Sequence, residues 1–196
     1  MKASYKGFEA KKAGGFTDLP VAGAYVAEIQ AVRFVAGEDG QRDRIECFME
    51  ITEGEFKDRF HQVYEDQKER FGDDAKYKGI FRLVCPFEDD EDWRKRVFEG
   101  NLWCVQESNP GYKWDWDEKK LKGKKVGINL RNRLYTYNGK DRSTVEIAKF
   151  ETVDDVRNGK CRPTKDRDQR ENKGSVAETD GSEFTDVSKD VEVPWG

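Results

Sequence analysis

Three aromatic side chains and a run of lysines lie close together in the middle of the chain, and these residue types suit nucleic-acid binding. Residues 107–125 read ESNPGYKWDWDEKKLKGKK, with Tyr112, Trp114 and Trp116 at alternate positions. Alternation predicts extended backbone with the three rings on one side. Rings stack on bases and lysines neutralise phosphates, so the stretch is a candidate surface for single-stranded nucleic acid. The alternative is that the rings cap a hydrophobic core.

The strand that follows carries further candidate contacts. Over residues 126–133, alternation directs Val126, Ile128 and Leu130 inward and a basic, polar and aromatic set outward. The outward set includes Gly127, which would leave the backbone open to close approach. A single aromatic is more often a core residue than a platform, but the combination favours binding, with two phenylalanines joining if the fold brings their strands alongside. The predicted nucleic-acid contacts are Tyr112, Trp114, Trp116, Lys122, Lys124, Lys125, Arg131, Arg133, Tyr135, Tyr137, Phe48 and Phe60.

The residues available for catalysis are few. The sequence has no phosphate-binding glycine loop, no nucleophile elbow and no zinc-protease helix motif. Its one histidine, His61, restricts general-base and metal chemistry, and the four cysteines have no paired spacing for zinc. Acidic runs at residues 89–92 and 115–118 could hold Mg²⁺ in a nuclease, but such runs are more often solvated faces or helix caps. We therefore predict no enzyme, no metal and no cofactor.

Composition and charge restrict the class of protein. The chain has 196 residues, 39% of them charged, and no apolar run approaches the roughly 18 residues of a membrane span. The first residues lack the apolar segment of a secretory signal, so a cytoplasmic protein with reduced thiols is expected. The net charge is −4, and residues 164–196, with five basic and nine acidic side chains, account for the whole excess. A neutral body can still carry a basic groove if its charges segregate by face.

The elements that must position these residues are mostly strands. Alternation predicts strands at residues 24–34, 44–51 and 58–64, and helical spacing predicts a helix at residues 89–106. A strand at residues 126–133 and another at 144–150 are joined by the hairpin signal Asn138-Gly139. Three strands, a helix and a hairpin are the order of an OB-fold, a five-stranded Greek-key barrel with the helix between strands 3 and 4. The rival is an α+β sandwich in which the helix covers one side of a sheet.

The domain boundaries follow from composition. Residues 1–18 are polar and glycine-bearing, so we interpret them as an N-terminal arm, and residues 19–163 as the OB-fold-like domain. Hydrophobic content falls sharply beyond Pro163, so residues 164–196 are predicted to form a disordered acidic tail with a hydrophobic tip.

The tail resembles the C-terminal tail of bacterial single-stranded DNA-binding proteins, in which acidic residues precede an apolar residue, proline and phenylalanine. Here tryptophan replaces phenylalanine, and Gly196 separates the ring from the terminal carboxylate. The resemblance implies recruitment of replication or recombination proteins, and the tail's charge could also compete with DNA for a basic groove. An ordinary acidic tail is the alternative. The residues predicted to bind a partner protein are Asp190, Glu192, Val193, Pro194 and Trp195.

The body has a resemblance of its own. It contains the runs YKGIFR (residues 77–82), ESNPGY (107–112) and WDWDE (114–118) through LKGK (121–124). These runs are similar to a family of phage and prophage proteins of Gram-positive hosts. Those proteins accompany replication and recombination genes, and the resemblance implies single-stranded DNA binding with low sequence specificity and a possible homo-oligomer. Two alternatives stay open: an inhibitory or interaction module that mimics DNA, and a Mg²⁺-dependent nuclease.

Overall fold

A mainly β architecture is seen in a computed structural model, which describes residues 17–38 and 40–170. The strands are β1 (Gly23–Val35), β2 (Arg44–Ile51), β3 (Ile80–Val84), β4 (Lys125–Tyr137), β5 (Lys140–Glu151) and β6 (Arg167–Asp168). The helices are α1 (Arg59–Phe71), α2 (Asp92–Ser108) and α3 (Val153–Arg157). The main strands form an antiparallel sheet in the order β3-β2-β1-β4-β5, and the short β6 pairs in parallel with β4.

Several sequence predictions are confirmed. The second strand has the predicted bounds, and the first, fourth and fifth strands and the long helix differ from their predicted bounds mainly at their ends. Asn138 and Gly139 have φ angles of 50° and 69°, so both central residues of the hairpin turn are left-handed, as a type I′ turn requires. After β5 the chain forms the short helix α3, and Gly159, with a φ of 64°, follows its end.

The third strand was predicted in the wrong place. Within the predicted strand 58–64, helix α1 begins at Arg59, and the third strand is Ile80–Val84. Helix α1 is fixed by a distant carboxylate: Glu50 on β2 accepts hydrogen bonds from the backbone N–H groups of Phe60, at 3.1 Å, and His61, at 2.6 Å. These are orphan donors at the start of the helix, which no local cap satisfies. The contact that makes this segment helical is therefore non-local.

The core lies between the sheet and α2, where apolar residues of both are buried. Phe98, Leu102 and Val105 form the buried face of α2. The two edges of the sheet come together at Phe81 of β3 and Phe150 of β5, whose ring centroids are 4.4 Å apart. The sheet therefore curves until its edge strands touch.

Two segments near the end of the domain cover one side of β4. A β-carbon on Gly127 would lie 2.5 Å from Cγ2 of Val156 in α3, so this glycine admits α3 to the sheet. Further along β4, the backbone N–H of Gln169 donates to the carbonyl of Leu134 at 2.7 Å. Residues 164–170, assigned above to the tail, thus lie against the sheet, and the folded domain extends to Arg170.

Within the two described ranges, no helix combines the length and apolar character needed to cross a bilayer.

Candidate nucleic-acid interface

The outer face of the sheet at β1, β2 and β3 has a covered half and an open half. Toward the C-terminal end of β2, Phe48 lies 6.2 Å from the ring of Tyr77, and Phe60 of α1 lies 6.3 Å from the same ring. Both phenylalanines are 2% exposed. The prediction that they join a base-stacking surface is wrong, because α1 and Tyr77 close over this half of the sheet.

The open half holds an arginine cluster, which we define as Arg33, Arg44 and Arg82 around Glu46. In the strand register, Arg33 of β1 and Arg82 of β3 lie on either side of Glu46, and Arg44 is two residues away on the same strand. The three Nε atoms donate to the Glu46 carboxylate at 3.2, 3.2 and 3.1 Å. One carboxylate thus fixes three guanidinium groups on one face.

The electrostatics of the cluster follow from this geometry. Burial alone would raise the pKa of Glu46, but its hydrogen bonds and charge interactions with Arg33, Arg82 and Arg44 outweigh burial and hold that pKa below its ordinary value. Glu46 is fully buried, whereas each arginine side chain keeps part of its surface in solvent. Three positive charges against one negative leave the cluster with a net charge of +2. A carboxylate cannot occupy all the N–H donors of three arginines, so donors remain for an anion.

The β4–β5 hairpin carries the second basic group. Arg131 donates to Glu146 of β5 at 2.7 Å, and Arg133 donates to Gln169 at 2.5 Å. The guanidinium carbon of Arg133 lies 5.8 Å from the ring centroid of Tyr135. The structure therefore brings together three predicted contacts, Arg131, Arg133 and Tyr135, while Tyr137 is exposed at the hairpin tip.

A lysine that the sequence patterns did not single out adds to this group. Lys78, just before β3, is half-buried, and burial together with the positive charges of Lys76 and Arg133 lowers its pKa. Within residues 17–38 and 40–170 no carboxylate forms an ion pair with the Lys78 ammonium group. Lys78 thus extends the group of positively charged side chains from the hairpin to the start of β3.

The predicted aromatic run lies elsewhere, beside α2. Residues 112–117 form no sheet ladder. The indole of Trp116 is 72% exposed and stacks on Phe98 of α2, with centroids 5.8 Å apart. Trp114 is half-buried against the core, and its ring lies 6.0 Å from that of Trp116. Together with Phe87 and Leu102 they line a groove of about 570 Å³.

The predicted lysines lie at a third place, next to the middle of β1. The backbone N–H of Ile29 donates to the carbonyl of Lys124 at 2.9 Å, at the point where the β1–β2 register shifts. The Lys124 ammonium group lies 4.9 Å from the ring centroid of Tyr112, so these two predicted contacts touch each other. Lys122 and Lys125 are exposed.

The outward side of β4 is less open than its alternation predicts. Asn129 is buried, and its amide donates to Glu151 at 3.0 Å and to the carbonyl of Arg162 at 2.9 Å. Gly127 is packed against α3, as described above. The close approach that this glycine permits is therefore made by the chain itself, and the open positions of β4 are Lys125 and those from Arg131 onward.

The acidic runs have partners of their own. Asp90 pairs with Arg42, and Asp115 pairs with Lys120. Glu91 accepts a hydrogen bond from the indole of Trp93 at 2.6 Å. Across the described part of the chain, no group of three or more histidine, cysteine, aspartate or glutamate side chains is arranged to hold a metal ion. The predicted partner-binding residues of the tail, from Asp190 to Trp195, lie outside the described residues.

Comparison with models of protein families gave no match, and comparison with curated proteins gave none.

Sequence reasoning missed the arginine cluster. Alternation along β2 gives Arg44 and Glu46 a common face, and that signal was available. Arg33 and Arg82 join them only through the register of three strands, one of which carries an irregularity after Ile29. No local pattern specifies that register, which is why the cluster emerges only in three dimensions.

Proposed function

We propose that this chain binds single-stranded DNA with low sequence specificity through the arginine cluster and the β4–β5 hairpin. The observation that carries the proposal is the convergence of three arginines on one buried carboxylate, which holds a net positive charge on an open sheet face. Fixed guanidinium groups suit phosphate oxygens because they present paired donors in a planar fork.

We further propose that the sheet is a partly open OB-fold barrel. The strand order β3-β2-β1-β4-β5 and the touching edges at Phe81 and Phe150 support this. OB-folds bind oligonucleotides on the face of strands 2 and 3 and on the loops that join strands 1 to 2 and 4 to 5. In this chain those places hold the arginine cluster, the loop between β1 and β2 and the hairpin tip, so topology favours the surface that carries the cluster's positive charge.

The hairpin would supply the rings of the interface. Tyr135 and Tyr137 lie on the same hairpin as Arg131 and Arg133, so a strand whose phosphates lie on the arginines has phenol rings within reach for stacking. The phage setting and the recruitment of replication or recombination proteins by the tail rest on sequence resemblance and remain predictions.

A second candidate function is a protein-interaction module that binds no DNA. The observation that favours it is the aromatic groove beside Trp116, because a contiguous exposed apolar surface often marks a protein-binding site. The lining of this groove includes two carboxylates, Glu88 and Glu99, and one ammonium group, that of Lys95. The groove therefore lacks the excess of positive charge that a nucleic-acid backbone requires, and its rings favour a partner with apolar groups.

Fluorescence anisotropy of a labelled oligo(dT), titrated with the protein at several salt concentrations, separates the two functions. DNA binding through the cluster should weaken as salt rises, with log K falling by about 0.7 per phosphate contact against log salt. Loss of one arginine, in Arg82→Ala, should reduce that slope by about 0.7 and weaken binding at every salt concentration.

The matched control is Arg157→Ala. Arg157 lies on α3 and pairs with Glu53, outside the proposed surface, so the control should bind as the wild type does. An absence of binding even at low salt would reject the DNA proposal in favour of the interaction module. Equal losses in both arginine variants would show a general effect of charge and would reject the cluster as the site.

A further inference from the structure

Helix α2 has an exposed apolar stripe on the side that faces away from the core. Trp93, Val97 and Trp103 are 48%, 56% and 52% exposed. Two of the three are tryptophans, which are highly buried on average in folded proteins. At 3.6 residues per turn these side chains lie on one face of the helix, with Gly100 at its centre. Of the buried residues of α2, Phe98, Leu102 and Val105 lie on the opposite side, whereas Cys104, one turn after Gly100, is buried at the border of the stripe. The stripe is thus exposed at its centre and meets the core contact at Cys104.

No contact among residues 17–38 and 40–170 explains the glycine at the centre of this stripe. Gly100 is helical without a left-handed φ, and a β-carbon there would meet no atom within 4 Å. Glycine in a helix interior is disfavoured relative to alanine because it loses more backbone entropy on folding. What glycine does provide is close approach for another backbone.

The charges that flank the stripe are arranged for a partner of the same sequence. Arg96 and Glu107 are both exposed, and neither forms an ion pair with a residue of the described ranges. They are 11 residues apart, about 16 Å along the helix, so they cannot pair within one chain. In two antiparallel helices that cross at Gly100, Arg96 of one chain comes within side-chain reach of Glu107 of the other. Symmetry then makes this pair twice.

We propose that this protein self-associates through α2, as an antiparallel pair of helices crossing at Gly100. Val97 and Trp103 lie three residues before and after the crossing point and on opposite flanks of Gly100, so the two valines share one flank of the helix pair and the two Trp103 indoles share the other. The contact is isologous, because the same patch serves on both chains. The dimer does not depend on the proposed DNA binding, and it would place two DNA-binding surfaces in one particle.

The area involved predicts a weak dimer. The exposed halves of two indoles amount to about 250 Å² per chain. A standard stable interface buries about 800 Å² per partner, so α2 alone supplies well under that value even with the valine and the ion pairs added. We therefore expect association in the micromolar range, where dilution measures it directly.

Sedimentation equilibrium of the full chain, over about 1 to 200 µM, tests the proposal. The wild type should be in equilibrium between monomer and dimer. Arg96→Glu and Glu107→Arg should each raise the dimer dissociation constant about tenfold or more, because each places like charges together twice. The double variant, and an equimolar mixture of the two single variants, should restore association, since each again pairs opposite charges.

Gly100→Leu provides an independent test of the crossing point. Leucine favours the helix but blocks the crossing point, so this variant should be monomeric and should melt no lower than the wild type. The control is Trp116→Ala, which removes an exposed indole outside the stripe and should leave the dimer intact. A wild type that stays monomeric over the whole range would overturn the proposal. So would a charge-swapped double variant that fails to recover association while circular dichroism shows a normal fold.

Discussion

Replacing Glu46 by glutamine should lower stability without weakening DNA binding. Four arginine N–H groups donate to the Glu46 carboxylate, two of them from Arg33. Glutamine keeps one oxygen and turns the other into a donor that faces guanidinium donors. A hydrogen bond to a charged group contributes about 1.5 to 3 kcal/mol, and the arginines recover part of that loss by turning to water. The net loss in the free energy of unfolding should be about 3 kcal/mol.

Urea and thermal denaturation measure this loss. For a protein of this size a change of 1 kcal/mol shifts the Tm by about 2–4 °C, so Glu46→Gln should melt about 6–12 °C below the wild type near neutral pH. The DNA affinity should stay level or rise, because the three guanidinium groups remain and one negative charge is gone.

The pH dependence gives a second test of the same substitution. The pKa of Glu46 is lowered in the folded state, so its contribution to stability is present above the unfolded pKa of about 4.3 and is lost as the pH falls through the folded value. The stability difference between the wild type and Glu46→Gln should therefore shrink in acid. The control is Glu38→Gln, at an exposed position in the loop after β1, which should change little. A Glu46→Gln protein as stable as the wild type at neutral pH would refute the view that this carboxylate organises the cluster.

Three further predictions follow from the same contacts. Phe48→Ala should lower the free energy of unfolding by about 3–5 kcal/mol in urea denaturation, because Phe48 is buried under Tyr77; a loss below about 1 kcal/mol would mean that the ring is exposed, as the sequence pattern predicted. Burial raises the pKa of Glu50, so the stability of the wild type relative to Glu50→Gln should fall as the pH rises above about 4.3. This trend is opposite in sign to that expected for Glu46, and an equal pH slope of stability for the two substitutions would contradict it. A chain ending at residue 163 should have a lower Tm than one ending at residue 170, because only the longer chain keeps β6 paired with β4. Equal Tm values would mean that residues 164–170 do not stabilise the domain and belong to the tail.

The fold was predictable from the sequence wherever the decisive contacts are local. Alternation along β2 and the Asn138-Gly139 turn both act over a few residues, and both were read correctly. The segment from Arg59 failed because its helix depends on Glu50, a residue on a neighbouring strand that satisfies the first N–H groups. The true third strand is short, with only Phe81 and Leu83 directed inward, and its alternation was overlooked.

The candidate site was harder to predict than the fold. Alternation identified the basic residues of β4 that could contact phosphates, but alternation cannot show that α3 and the chain after it cover Gly127 and Asn129. Likewise, the rings of Trp114 and Trp116 alternate in sequence, yet Trp116 turns outward with a left-handed φ of 68° and stacks on α2. Where a surface is built by strand register or by packing of a distant element, residue spacing gives no information about it.

The most direct test of the central claim is a map of backbone amide shifts in a nitrogen-15-labelled sample titrated with oligo(dT). Binding at the proposed surface should shift the amides around Arg33, Arg44 and Arg82 and those of the β4–β5 hairpin, with smaller shifts when salt is added. Shifts confined to α2 and residues 112–117 would move the site to the aromatic groove, and an unchanged spectrum at low salt would contradict DNA binding altogether.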